Sequence, residues 1–435
     1  MIRISSNTIF ENGLSNILDR QSAVARLQDQ IGTGRRVQTP SDDPIAAARS
    51  LEVEQASSIN DQYQRNGASA TSSLALSDSS LASVTSLIQD IHTLAVNAGD
   101  GTLSDKDLKS LAGEVQARYQ QLLGLANATD GNGQYLFSGY QGSTQPFVET
   151  APGSVVYNGD QGQRLIQISA SRQVPISDSG SQVFQLIKTG NGTFTTGAAS
   201  ANTGTGIVSP GTVTNPAAWN AAGNPKDFSV VFYVDNSVNP PVTTYDIIDN
   251  VSGLSLTTGA PPTAGPYLRT YTDGAAIDLS RQVPPDTNPT NFDYGAQLTI
   301  QGQPATGDTF TVKASTNQDL FKTVYDMITA LQTAQRTPAG NAKLANDLNV
   351  ALSNLDNGLD NVLRVRAAVG ARQNEVDATG SAQGDLTVEY QRQLSGLRDL
   401  DYAQAVSDLT RQQLSLEAAQ KSFVRVQGLS LFNFL

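Results

Sequence analysis

The residues that usually carry chemistry are scarce in this chain. Cysteine is absent and His92 is the only histidine among 435 residues. That removes thiolate nucleophiles, disulfides and iron–sulfur clusters, and argues against histidine-based zinc sites and Ser-His-Asp catalysis. Carboxylates, guanidinium groups and glycines remain. Asp42 and Asp43 could act together as metal ligands or as an acid/base couple. Their position just before Pro44 reads instead as a helix cap with its linker, with subunit contact as a secondary role. Arg35-Arg36 is a small basic spot, either solvated or bridged to an acidic neighbouring subunit. Gly131-x-Gly133 shares only its glycines with a phosphate loop, because no strand precedes it and no Lys-Ser/Thr follows. Asp246, Asp249, Asp273 and Asp278 could supply a glycosidase pair but sit in no recognisable motif. His92, next to Ile88, Ile91 and Ala95, reads as a helix-flank residue. Tyr135, Phe137 and Tyr140 read as hairpin packing rather than a sugar platform. No catalytic, cofactor or metal site is expected.

Composition narrows the partners. The chain has 28 basic and 40 acidic residues, a net charge of −12, and only 16% charged residues. Average soluble chains carry about 25%. An acidic, charge-poor chain lacks the clustered Lys/Arg that nucleic acids and anionic membranes require. No apolar run is long enough for a membrane-spanning helix, and MIRISSNTIF lacks the apolar core of a cleaved secretory signal. Taken alone, these features point to the cytoplasm.

The elements that must position any site come next. Thr8 with Glu11 has capping-box spacing, and Leu14, Ile17, Val24 and Ile31 form one apolar seam behind it. Gly32-Thr33-Gly34 ends that helix, and Asp43-Pro44 starts another. Leu74, Leu81, Ile88 and Ala95 repeat every seven residues, interleaved with Val84, Ile91 and Ala98. Ser104 and Asp107 cap a further helix to about Asn127. From Gly131 the period shortens to two, as in hairpins. Residues 190–225 are Gly/Thr/Ala/Ser-rich and predict a mobile surface segment or loosely formed β structure, with Trp219 in a small local core. Strands are expected at 228–235, 243–249, 296–302 and 308–315. Helices resume at Asp319, and Thr337-Pro338 opens a long one with Leu348, Leu355, Val362, Val369 and Val376 in unbroken heptad register. A two-residue phase break at Ser395-Gly396 precedes a last stripe of Tyr402, Leu409, Leu416 and Phe423.

The fold class expected is mainly α with inserted β: a long antiparallel helical bundle or coiled coil from both termini, β-hairpins, and a small inserted β domain. The expected division has three parts. Residues 1–40 with 396–435 form a terminal coiled coil, 41–186 with 316–395 a helical bundle with hairpins, and 187–315 the inserted β domain. The last seven residues, Leu429 to Leu435, include Leu429, Leu431, Phe432, Phe434 and Leu435. Burial of each such side chain stabilises by roughly 1.5–3 kcal/mol, whereas exposure leaves an adhesive patch. The expected interface for assembly with other copies is therefore Leu14, Ile17, Val24, Ile31, Leu409, Leu416, Phe423 and the apolar tail. Docking of both ends on their own globular body is the other reading.

At these residues the chain resembles the flagellin superfamily of bacterial axial proteins, most of all its hook–filament junction family. The resemblance is carried by Met1-Ile2-Arg3-Ile4-Ser5, Gln30 to Val37, Thr39-Pro40-Ser41-Asp42-Asp43-Pro44, and Gly133-Gln134-Tyr135-Leu136-Phe137-Ser138-Gly139. Gly307-Asp308-Thr309-Phe310 and Ala418 to Phe423, continuing through Leu429-Ser430-Leu431-Phe432, complete it. A flagellin would more often show Asp-Asp-Ala in place of Asp42-Asp43-Pro44 and end in Leu-Leu-Arg. The resemblance implies a ring of subunits between the first hook-associated junction protein and flagellin, with paired terminal helices lining the channel and the β domain projecting outward. It also implies export through the flagellar type III apparatus with an uncleaved signal and a dedicated chaperone. The implied location is then extracellular, at the junction. Absence of cysteine agrees, since an exposed thiol outside the cell is an oxidation risk. A flagellin filament subunit is the alternative, and an enzymatic or carbohydrate-binding insertion is a distant third.

Overall fold

A computed structural model describes the backbone of residues 6–431 and the side chains of residues 8–426. Helices α1 (Ser6–Thr33), α2 (Pro44–Ala98) and α3 (Asp105–Ala126) come first. Two hairpins follow, β1 (Phe147–Ala151) with β2 (Ser154–Tyr157) and β3 (Leu165–Ser169) with β4 (Arg172–Pro175), then the short α4 (Gly180–Phe184). The β-rich middle holds β5 (Ile187–Lys188), β6 (Phe194–Ala198), β7 (Ile207–Val208), β8 (Thr212–Val213) and the single turn α5 (Pro216–Trp219). It continues with β9 (Asp227–Asp235), β10 (Val242–Asp249), β11 (Leu254–Ser255), β12 (Arg269–Thr270) and β13 (Ala276–Ser280). It closes with β14 (Asp293–Gln301), β15 (Thr309–Ala314) and β16 (Asn317–Gln318). Helices α6 (Leu320–Thr333), α7 (Pro338–Arg398) and α8 (Tyr402–Leu431) complete the described chain. The mainly helical fold with a central β region is as the sequence predicts. None of the described helices is long and apolar enough to cross a membrane.

The chain divides into two compact units. The first comprises residues 1–68, 167–172 and 377–435; the second comprises 69–166 and 173–376.

Heptad positions explain the helical part of the second unit. Leu348, Leu355, Val362, Val369 and Val376 on α7 are all buried, as are Leu74, Leu81, Ile88 and Ala95 on α2. Ser104 caps α3 through a complete capping box with Asp107, and Asp319 caps α6 through the Lys322 amide. His92 lies on the helix flank, 3.4 Å from Asp356. Beneath the hairpins, Phe137, Phe147, Phe184 and Phe321 form one aromatic cluster with centroids 5.2–5.9 Å apart. The Leu136-Phe137-Ser138-Gly139 stretch plugs this core, with Gly139 at φ +71° where a side chain would be strained.

The β region has two larger antiparallel sheets, ordered β11-β10-β9-β15-β6 with β12 also on β10, and β13-β14-β7 with β8 also on β14, while β5 and β16 pair separately. Phe194, Trp219, Phe228, Phe232, Leu298 and Phe310 belong to the core they share. Residues 190–225 form short strands, as the β alternative predicts, and are anchored rather than mobile, because Phe194 and Trp219 pack at 5.2 Å inside that core. Their short strands are set by distant neighbours rather than by local pattern. One correction concerns a helix start: Thr8 lies within α1 rather than at its cap, since the helix is already formed at Ser6. The phase break at Ser395-Gly396 falls near the end of α7, which stops at Arg398.

Candidate assembly interface

In the first unit, α1 and α8 run antiparallel. Phe10 packs on Phe423 at 5.3 Å, Arg20 bonds the Ser415 hydroxyl, and Gly34 lies under the Tyr402 hydroxyl. Gly13 permits the closest approach, since a Cβ there would stand 2.7 Å from the Phe423 ring. The ring therefore rests on bare backbone.

Seven of the sequence-predicted contact residues have described side chains. Ile17, Val24, Ile31, Leu409, Leu416 and Phe423 are half-buried along the seam between the two helices, whereas Leu14 is 42% exposed. Leu429 and Leu431 fall in the last turn of α8, where side chains are not described. Phe432, Phe434 and Leu435 lie outside the described residues. A two-helix seam gives only partial cover, because each helix has one partner and a full circumference.

The seam does not use all the apolar surface. Phe10, Leu14 and Leu18 form an i, i+4, i+8 ridge on α1 and are 42%, 42% and 55% exposed. On α8, Val406, Leu414 and Val424 are at least half exposed. Among its described residues, the first unit fully buries only the apolar side chains of Val37, Ala46, Ile168 and Ala405. Contiguous uncovered apolar surface of this kind marks an interaction site. Sequence reasoning missed Phe10, Leu18, Val406, Leu414 and Val424. The four-residue spacing on α1 was the available signal.

The N-terminal connector is ordered by its carboxylates. Asp43 Oδ1 accepts from the Ala46 amide at 3.0 Å, which caps α2 ahead of Pro44, and its Oδ2 meets Arg36 at 3.1 Å. Asp42 Oδ2 accepts from the backbone of Thr39 and Gln38 and from the Thr39 hydroxyl. These amide donors hold both carboxyls below the ordinary aspartate value: Thr39 first for Asp42, and Ala46 followed by Arg36 for Asp43. Among the described residues, no three His, Cys, Asp or Glu side chains gather to hold an ion.

Paired terminal helices, a helical body and a β insertion define a flagellin-type subunit, and the family comparisons agree. The description "Bacterial flagellin N-terminal helical region" matches residues 4–142, and "Bacterial flagellin C-terminal helical region" matches residues 352–435. Flagellar hook-associated protein 3 of Salmonella typhimurium is 27% identical over 431 residues, covering 99% of both chains. The crystal structure of flagellar hook-associated protein 3 from Legionella pneumophila superposes with a TM-score of 0.68 at 29% identity, covering 80% of this chain and 98% of that one. Phase 1 flagellin of Salmonella naestved, by contrast, is 28% identical over 137 residues, only 31% of this chain. The chain belongs to the flagellin superfamily, and over its whole length it is similar to flagellar hook-associated protein 3.

Proposed function

We propose that the chain is a structural subunit of the bacterial flagellum, forming the junction between hook and filament. One observation carries this reading above the others: similarity to hook-associated protein 3 covers 99% of both chains, whereas phase 1 flagellin aligns over 31% of this chain. The uncovered apolar ridges of α1 and α8 supply the assembly surface. Identical pairs from neighbouring copies would cover Phe10, Leu14 and Leu18 and complete the seam of Ile17, Val24, Ile31, Leu409, Leu416 and Phe423, together with Leu429, Leu431, Phe432, Phe434 and Leu435.

In this reading residues 1–40 with 396–435 line the channel. Residues 41–186 with 316–395 form the next shell, and 187–315 face outward. The partners are copies of the chain in a ring, the first hook-associated junction protein below and flagellin above. The chain reaches the cell exterior through the flagellar type III apparatus, escorted by an export chaperone, and its role is structural rather than catalytic. Immunogold labelling of intact flagella tests the proposal. A single band at the hook–filament boundary is expected, and label along the whole filament would replace the junction reading with the flagellin one.

A further inference from the structure

Two connectors join α1 to α2 and α7 to α8, and both lie within the first unit. They are not independent strands of linker. The Arg36 amide donates to the Arg398 carbonyl at 2.7 Å, and the Leu400 amide donates to the Gly34 carbonyl at 3.0 Å. Arg35 and Asp399 thereby face each other as an antiparallel pair flanked by both bonds. Side chains extend the pairing. Arg36 donates to the Leu397 carbonyl at 2.8 Å and to Asp43 at 3.1 Å, and Gln30 donates to the Arg36 carbonyl at 2.7 Å. Arg398 bonds Glu54, and Asp401 caps α8 through the amides of Ala403 and Gln404. Gly34 makes the geometry possible. It has φ +69°, and a Cβ there would stand 2.9 Å from the Tyr402 hydroxyl.

We infer that the two connectors form one closed clasp, so that α1 and α8 enter an assembly as a single preformed unit and the clasp does not open there. Each connector has extended backbone donors and acceptors that need partners, and each supplies those of the other. The two amide–carbonyl bonds restrict separate rotation of either helix about its connector. Bending at an assembled junction must then move the helix pair together. The consequence for assembly rests on the junction reading above; the pairing itself does not.

The test uses the natural absence of cysteine. A residue pair that faces across an antiparallel bridge without bonding each other directly has its Cα atoms about 4.5 Å apart, inside disulfide range. In the full-length Arg35→Cys, Asp399→Cys double variant, mild oxidation of the purified monomer is expected to consume both thiols. Persistence of free thiols overturns the clasp. Oxidised and reduced forms are then supplied to flagella lacking this subunit, and junctions are counted by electron microscopy. Equal counts are expected; junctions from the reduced form alone would mean the connectors must part during assembly, which overturns the inference. Hydrogen exchange on the unaltered chain provides the second measurement. The Arg36 and Leu400 amides should be protected together, and rapid exchange at either sinks the clasp whatever the variant does. Failure of the unaltered chain to restore junctions counts against the junction reading instead.

Discussion

Gly13 and Asp319 carry the residue-scale expectations. At Gly13 the absence of a side chain lets Phe423 lie against α1. Gly13→Val should displace the ring and abolish junction formation, while the melting temperature of the second unit stays unchanged. Calorimetry alongside electron microscopy of hook tips checks this, and intact junctions would count against α1/α8 packing as the assembly element. At Asp319 burial raises the carboxyl pKa above its ordinary value, outweighing the Lys322 amide that lowers it. The folded state therefore binds the proton more tightly than the unfolded one, and this group's contribution to stability declines as pH rises from 3.8 through the raised value. Asp319→Asn keeps a side-chain acceptor at the cap. It should raise the melting temperature at pH 7 and lose that advantage below pH 3.8; a lower melting temperature at pH 7 would contradict the sign. Asp42, Asp43, Asp100 and Asp107 behave oppositely. Their backbone-bonded carboxyls are depressed, so their contribution is present above 3.8 and lost as acid protonates them.

At the scale of elements, α7 acts as a template as well as a helix. Asn346, Asn354, Asn357 and Asn361 lie along one of its faces and bond the backbone of residues 182–208. Asn346 accepts from the Val208 amide at 2.8 Å and donates to the Gly206 carbonyl at 2.9 Å. Asn354 accepts from the Gly190 amide, Asn357 donates to the carbonyls of Lys188 and Gly190, and Asn361 donates to those of Gln182 and Val183. An amide side chain can satisfy a donor and an acceptor together, which an apolar contact cannot. Asn346→Ala leaves both the Val208 amide and the Gly206 carbonyl buried and unpaired. The expected loss is about 2 kcal/mol, from the usual cost of stranding such groups. Urea unfolding of the full chain measures it, and faster exchange at the Val208 amide should accompany it. An unchanged midpoint would show that water replaces the asparagine at no cost.

Across the whole molecule, charge and apolar surface are distributed unequally. The first unit carries 13 basic and 15 acidic residues, and the second carries 15 and 25. The unit with uncovered apolar ridges is thus almost neutral, so copies can approach there without strong mutual repulsion, while the other unit keeps the chain soluble. Deleting residues 427–435 removes the tail without touching the buried seams of the second unit. The truncated chain should keep its circular dichroism and melting temperature yet fail to form junctions. Normal junctions in a strain carrying only that deletion would refute the role given to the tail.

Much of the helical architecture was legible without coordinates. The α7 heptad from Leu348 to Val376, the Ser104 capping box and the Asp43-Pro44 helix start depend on residues a few positions apart. Periodicity and capping are local physics, so sequence spacing specifies them. The apolar seams of both terminal helices were legible for the same reason. Tertiary structure decided what depends on long chain closure. Trp219 joined the β core against Phe194, whose strand no local pattern marked, and Arg269 found Asp286 at 2.6 Å with both side chains almost wholly buried. Arg36 found the Leu397 carbonyl across 361 residues of sequence. Which backbone groups meet at such separations follows from how the helices and sheets close on one another, and no short window of residues encodes that meeting.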